Sequence, residues 1–189
     1  MLNAIKRAHY AHVSSQMPPR IRLRTAYHEA GHGFFMSRSP LWKNIRLSIN
    51  DSGGLTRGEY SGRSRFSDAE AGWLIIRMTL AGAAIEQYFF GNYSRLGAAQ
   101  DVANATELAI GRQAVLTEYI KERFLPTSAA AMQRAVITGT PPEIQSILGG
   151  ALLSVAAEVQ QNAGSIRRLG KLLYKKSYLS DVELRKALT

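Results

Sequence analysis

Arg24-Thr25-Ala26-Tyr27-His28-Glu29-Ala30-Gly31-His32-Gly33-Phe34-Phe35-Met36-Ser37, residues 24–37, reads as a helix that stops before Pro40. His28 and His32 are four residues apart. A helix turns once in 3.6 residues, so both imidazoles lie on one face and can reach one metal ion. Glu29 points about 100° away around the axis. It is badly placed to be a third ligand and well placed to take a proton from water that the ion activates. His-Glu-x-x-His on a helix is the pattern for a zinc ion with a carboxylate general base. Two incidental surface histidines are the bland alternative; the rarity of the pentapeptide and its helical context argue against it. Gly31 and Gly33 leave room for another backbone or a substrate to come close.

A catalytic zinc ion needs a third protein ligand and an open position. The chain has no cysteine, so the donor is His, Asp or Glu. Phe35 and Arg38 stand where the metzincin pattern requires Gly and His. His9 and His12 lie in the N-terminal arm and read as solvated. The third ligand is therefore expected to be a carboxylate. Asp51, Glu59, Asp68, Glu70, Glu86 and Asp101 are the candidates, and chemistry alone does not choose among them.

Around this helix the chain reads as α+β and mainly α-helical. Residues 1–20 form a basic N-terminal arm, and 21–189 one domain. Residues 43–50 alternate, with Ile45, Leu47 and Ile49 on one face of a strand. Asp51-Ser52-Gly53-Gly54 is a turn, residues 55–60 return as a second strand, and 62–66 are loop. Ser67 and Glu70 make a capping box for a long apolar helix that ends at Gly91-Asn92. Residues 98–123 read as one helix, with Val102, Ala105, Ala109, Val115 and Ile120 on its apolar side. Residues 125–142 are a loop or weakly ordered insert. Residues 143–161 and 165–175 read as a helical pair, and Ser180 with Glu183 caps a last short helix.

The 189 residues are long enough to bury a real core, and 46% hydrophobic with 20% charged residues is ordinary for a globular protein. The formal charge is +10, which favours acidic partners. No named nucleic-acid motif accompanies the cations, so nucleic acid is not the expected partner. No run of about 18 apolar residues reads as a membrane span; the best stretch, 73–90, is interrupted by Arg77, Glu86 and Gln87. There is no signal-peptide-like run, and the expected location is cytoplasmic.

Thr25-Ala26-Tyr27-His28-Glu29-Ala30-Gly31-His32 resembles the active-site helix of the FtsH-type peptidase domain. Further blocks agree in order: Leu80-Ala81-Gly82-Ala83-Ala84-Ile85-Glu86, Phe90-Gly91, Gly97-Ala98-Ala99-Gln100-Asp101 and Ala105-Thr106-Glu107-Leu108-Ala109. The resemblance covers about residues 21–188, including the C-terminal helices. It implies that Asp101, in its Gly-Ala-x-x-Asp segment, is the third zinc ligand. It also implies a zincin-like helix beside a small β-hairpin, with a C-terminal helical bundle. The departures are the membrane helices and the ATPase module of that family, which this sequence lacks. Ala81 and Ala83 stand at positions where the family has Gly and Arg, and 125–142 does not match.

The expected activity is that of a zinc metalloendopeptidase. It would use one Zn2+ per chain on His28, His32 and Asp101, with Glu29 as the base, to cut flexible or unfolded polypeptides without ATP. The expected partner is a polypeptide substrate. A separate ATPase or adaptor and a homo-oligomer are left open by the resemblance. A zinc-bound binding or adaptor module with little activity, and a basic nucleic-acid-associated protein, rank below it.

Overall fold

The computed structural model describes residues 17–61, 66–123 and 141–189. It is mainly helical with one small antiparallel sheet. The elements are α1 (Pro19–Arg38), β1 (Trp42–Asn50), β2 (Gly53–Tyr60), α2 (Asp68–Phe90), α3 (Arg95–Gly111), α4 (Gln113–Arg123), α5 (Pro142–Lys176), β3 (Tyr178–Leu179) and α6 (Asp181–Leu188). Most of the arm expected over 1–20, with His9 and His12, lies outside the described residues. So do most of the loop expected over 62–66 and of the insert expected over 125–142.

Several boundaries differ from the sequence reading. α1 begins at Pro19, because proline lacks the N–H that a first turn leaves unpaired and its fixed φ already suits a helix. Pro142 opens α5 in the same way, so it belongs to the helix and not to the insert. The expected helix over 98–123 is two: Arg112, at φ −126° and ψ 17°, breaks it. The break resets the helical phase, so Leu116 is buried while Val115 is 45% exposed. The expected C-terminal pair is present as α5, whose two helical segments meet in a kink at the non-helical Asn162, with φ −116° and ψ 16°. Ser67 with Glu70, and Ser180 with Glu183, form the capping boxes that the sequence predicts, and Gly91 closes α2 in the left-handed conformation.

The sheet has the order β2-β1-β3, all antiparallel. β3 adds a strand to the expected hairpin. Two residues are too few to carry a period-2 pattern, which is why the sequence does not announce it. Asn44, at φ 52°, forms an irregularity in β1 between Lys43 and Arg46. Ile45, Leu47 and Ile49 are fully buried, as their alternation requires. Partners in a ladder share a face, so Thr56 opposite Leu47 and Gly54 opposite Ile49 also turn toward α1. β2 pairs only with β1, which leaves its other edge without a strand partner among the described residues.

α1 is central. It packs on both strands of the hairpin, on α2 and on α5. One core runs through Phe34, Leu47, Ile76, Leu80, Leu148 and Leu169, all essentially sealed from water. α1 and α2 cross closely where Gly31 meets Ala81 and Ile85. The neighbour that Gly31 admits is thus the backbone of α2.

Candidate metal centre

His28 and His32 stand one turn apart on the buried side of α1, and Asp101 reaches them from the second turn of α3. His28 Nε2 lies 3.0 Å from His32 Nε2 and 2.9 Å from Asp101 Oδ2, and His32 Nε2 lies 3.3 Å from that same oxygen. The side chains are 9%, 12% and 20% exposed. These three residues form a group able to hold a metal ion.

The opposite ring nitrogens settle which atoms face inward. His32 Nδ1 is 2.8 Å from the Met78 carbonyl oxygen. A carbonyl only accepts, so this nitrogen carries the proton and Nε2 presents its lone pair. His28 Nδ1 is 2.8 Å from Glu86 Oε1 and donates to that carboxylate in the same way. Three lone-pair atoms then converge on one small space. Asp101 Oδ2 is buried there, and with both protons on Nδ1 it has no donor. Such an arrangement can accommodate a cation between the groups, a metal ion or a proton. A tetrahedral zinc ion with ligands at ~2.0–2.1 Å has ligand–ligand edges of about 3.3–3.4 Å, close to the separations here. The local charge agrees. Arg24 pairs with Glu86, and among the described residues no Lys or Arg pairs with Glu29 or Asp101, which leaves two carboxylates whose charge a divalent ion would offset.

With a proton as the cation, the same geometry acts on His28. Burial alone lowers its pKa, but hydrogen bonds from the ring to Asp101 and Glu86 outweigh burial and push it up to about 10. Burial works to raise Asp101 and Glu86; the imidazoles hold Asp101 well below the usual carboxylate range, and His28, Arg24 and the Ser94 N–H lower Glu86.

Glu86 ties three elements together. Its Oε1 accepts from His28 on α1. Its Oε2 accepts from Arg24 Nε on α1 and, at 2.7 Å, from the Ser94 N–H. Ser94 is the N-cap of α3, with its hydroxyl accepting from the Gly97 N–H. The carboxylate that orients His28 therefore also seats the helix that carries Asp101. Gly82 completes the seat, because a Cβ there would lie 2.5 Å from His28 Nε2.

Glu29 turns toward the hairpin. Its Oε2 accepts from the Thr56 hydroxyl at 2.7 Å, and the carboxylate lies against Gly54. Glu29 and His28 line a cleft of about 870 Å³, whose walls include Ile21 and Arg24 of α1, Gly53 and Gly54 of β2, and Gly97 of α3.

Of the six candidate carboxylates, Asp101 alone joins the two histidines. Glu86 sits behind His28, on Nδ1. Glu70 caps α2, Glu59 accepts from Asn44, Asp51 lies on the cleft wall, and Asp68 is at the start of α2. Sequence reasoning named Gly54 only as part of a turn and Gly82 only within a matching block, and it did not place Thr56, Arg24 or the Met78 carbonyl at the site. The small residues alternating along β2, Gly54, Thr56 and Gly58, were the available signal for a strand lying tightly on a helix. No protein-family model matches the chain, and no curated protein matches it.

Proposed function

We propose that the protein is a zinc-dependent endopeptidase of FtsH-like type with a zincin-like core. His28, His32 and Asp101 would hold one zinc ion, and Glu29 would be the general base. The observation that carries this reading is the convergence of His28 Nε2, His32 Nε2 and Asp101 Oδ2, each with its lone pair inward, beside a carboxylate that lines a cleft. When bound, zinc polarises the scissile carbonyl and brings the pKa of water down towards ~7.

The chain's own residues do the rest. Glu29 accepts a proton from the attacking water and passes it to the leaving amine. Thr56 holds one oxygen of that carboxylate and so limits its rotation. Glu86 keeps the His28 proton on Nδ1, which fixes the ring's orientation. The edge of β2 that has no strand partner among the described residues borders the cleft and offers main-chain groups to an extended peptide. A stable domain seldom releases a length of extended chain to enter the cleft, so the substrate is a flexible polypeptide. A separate ATPase or adaptor would be needed to supply unfolded chain from stable proteins.

The test combines metal content with cleavage of casein, with and without a chelator. The reading requires about one zinc per chain, chelator-sensitive cleavage, lowered occupancy in Asp101→Ala, and retained zinc with activity down at least ~10²-fold in Glu29→Gln. Full occupancy in Asp101→Ala, or undiminished cleavage by Glu29→Gln, would show the assignment of roles to be wrong.

A further inference from the structure

The charge of this protein is segregated. Residues 1–28 contain five Lys and Arg and no acid, and residues 159–180 contain another five and no acid. Those ten cations equal the whole net charge of +10; the remaining 14 Lys and Arg balance the 14 Asp and Glu. The two stretches are some 130 residues apart in sequence, yet the fold lays their described parts side by side. α1 packs along α5, Gly170 meets the Tyr27 ring, and the Arg22 guanidinium lies 4.8 Å over Tyr174.

On α5, Arg167, Lys171 and Lys175 are exposed and spaced four apart, so they form one row. Arg20 is exposed at the start of α1. Among the described residues none of these four is ion-paired with a carboxylate, whereas Lys176 is drawn to Glu183 at 2.9 Å. The face reaches the cleft through α1, because Ile21 and Arg24 line the cleft and Ile21 is 54% exposed. Two aromatic rings at this face are already covered: Arg167 of the row lies over Phe89 and Arg22 lies over Tyr174. A nucleic-acid base would stack on those same ring faces, so at these two rings a guanidinium already holds the place a base would take.

We propose that the α1–α5 face is an exosite for acidic stretches of polypeptide, beside the cleft, and that flexible chains rich in Asp and Glu are the class of substrate the protein selects. Its service to catalysis rests on the peptidase reading; the binding itself does not. Clustered cations of one sign raise the local concentration of an oppositely charged chain and speed its encounter, and salt weakens the effect.

The experiment uses the full chain and fluorescence anisotropy. The probes are a labelled unstructured peptide with a run of Asp and Glu, the same peptide with Asn and Gln in their place, a single-stranded oligonucleotide, and phosphatidylserine-containing vesicles. The acidic peptide is expected to bind about 10-fold or more tighter than its neutral counterpart, with the difference shrinking as salt rises to about 0.3 M. Arg167→Gln with Lys171→Gln and Lys175→Gln should lose about 10-fold for the acidic peptide. Lys43→Gln with Arg46→Gln and Lys186→Gln, exposed cations elsewhere, should bind as the wild type does. All six positions are exposed, and the salt series on the unaltered chain tests the surface without any variant. Equal affinity for the two peptides, an unaffected α5 triple variant, or an oligonucleotide or vesicle held more tightly than the acidic peptide would each overturn the proposal. Binding needs no cleavage, so the two readings fail separately. A chain that prefers the acidic peptide but cuts nothing loses the peptidase assignment and keeps the surface. One that cuts casein but shows no preference loses the surface alone.

Discussion

Gly82→Ala should damage the metal centre, although alanine is the better helix former. In an open helical position the exchange gains about 0.8–1 kcal/mol. Gly82 is not open, because its Cβ would lie 2.5 Å from His28 Nε2 and 2.7 Å from Nδ1. Ordinary contact is about 3.5 Å or more, so roughly 1 Å must be found. The ring cannot swing away freely, since Glu86 holds Nδ1 and Nε2 faces Asp101. Nor can the helices part locally, because Gly31 brings α1 onto Ala81 in the same crossing. Overpacking of this kind costs about 1–3 kcal/mol, which offsets or exceeds the helix gain. A shift of even half that distance exceeds the ~0.2 Å tolerance of a zinc site.

The expected outcome is zinc well below one per chain after gel filtration and a melting temperature that no longer responds to chelator. The wild type should fall on chelation, because ligand binding to the native state alone is stabilising. Gly164→Ala is the control: this glycine lies in α5 with nothing within 4 Å of a Cβ, so zinc should stay and stability rise by up to ~1 kcal/mol. At this chain length that corresponds to about 2–4 °C. If Gly82→Ala keeps full zinc and gains stability like the control, the described approach of α2 to His28 is wrong.

Three further outcomes follow from the same contacts. Glu86→Ala should weaken zinc binding by about 10- to 100-fold in a competition titration with a chelator, because His28 loses its Nδ1 acceptor; unchanged affinity would remove Glu86 from the site. Thr56→Val should retain zinc and lower kcat by about 10-fold, with Thr56→Ser restoring it, since only the hydroxyl orients Glu29; full activity in the valine variant would show that Glu29 needs no such support. Glu183 gives a pH dependence remote from the metal. Burial opposes its ionisation, but the Ser180 N–H, the Lys176 ammonium and the Ser180 hydroxyl hold it at about 2, against an ordinary 4.5. A depressed carboxylate stabilises fully above its unfolded pKa and loses that contribution as pH falls through its folded one. Glu183→Ala should therefore cost about 1 kcal/mol in urea denaturation at neutral pH, a difference that shrinks between pH 4.5 and 2; a pH-independent difference would refute the capping role.

What the sequence determined by itself was local. Hydrogen bonding four residues back places His28 and His32 on one face of α1, and strand alternation sends Ile45, Leu47 and Ile49 to the core. A serine three residues before a glutamate starts α2 and α6. These signals act over a few residues and survive whatever surrounds them. The break at Arg112 was not legible, because a single non-helical residue changes neither composition nor periodicity enough to be read. Six carboxylates satisfied the donor chemistry equally. Resemblance alone pointed to Asp101, 69 residues beyond His32. Only the tertiary structure decided how Asp101 and Glu86 divide the two sides of His28. Glycines at the α1–α2 crossing let the helices come close enough for Glu86 to reach Nδ1, and Ser94, held by that same carboxylate, aims α3 so that Asp101 meets Nε2. The described parts of two basic stretches far apart in the chain share one face for the same reason. Side-chain chemistry is written residue by residue, but which groups share a space is set by the packing of helices that are distant in sequence.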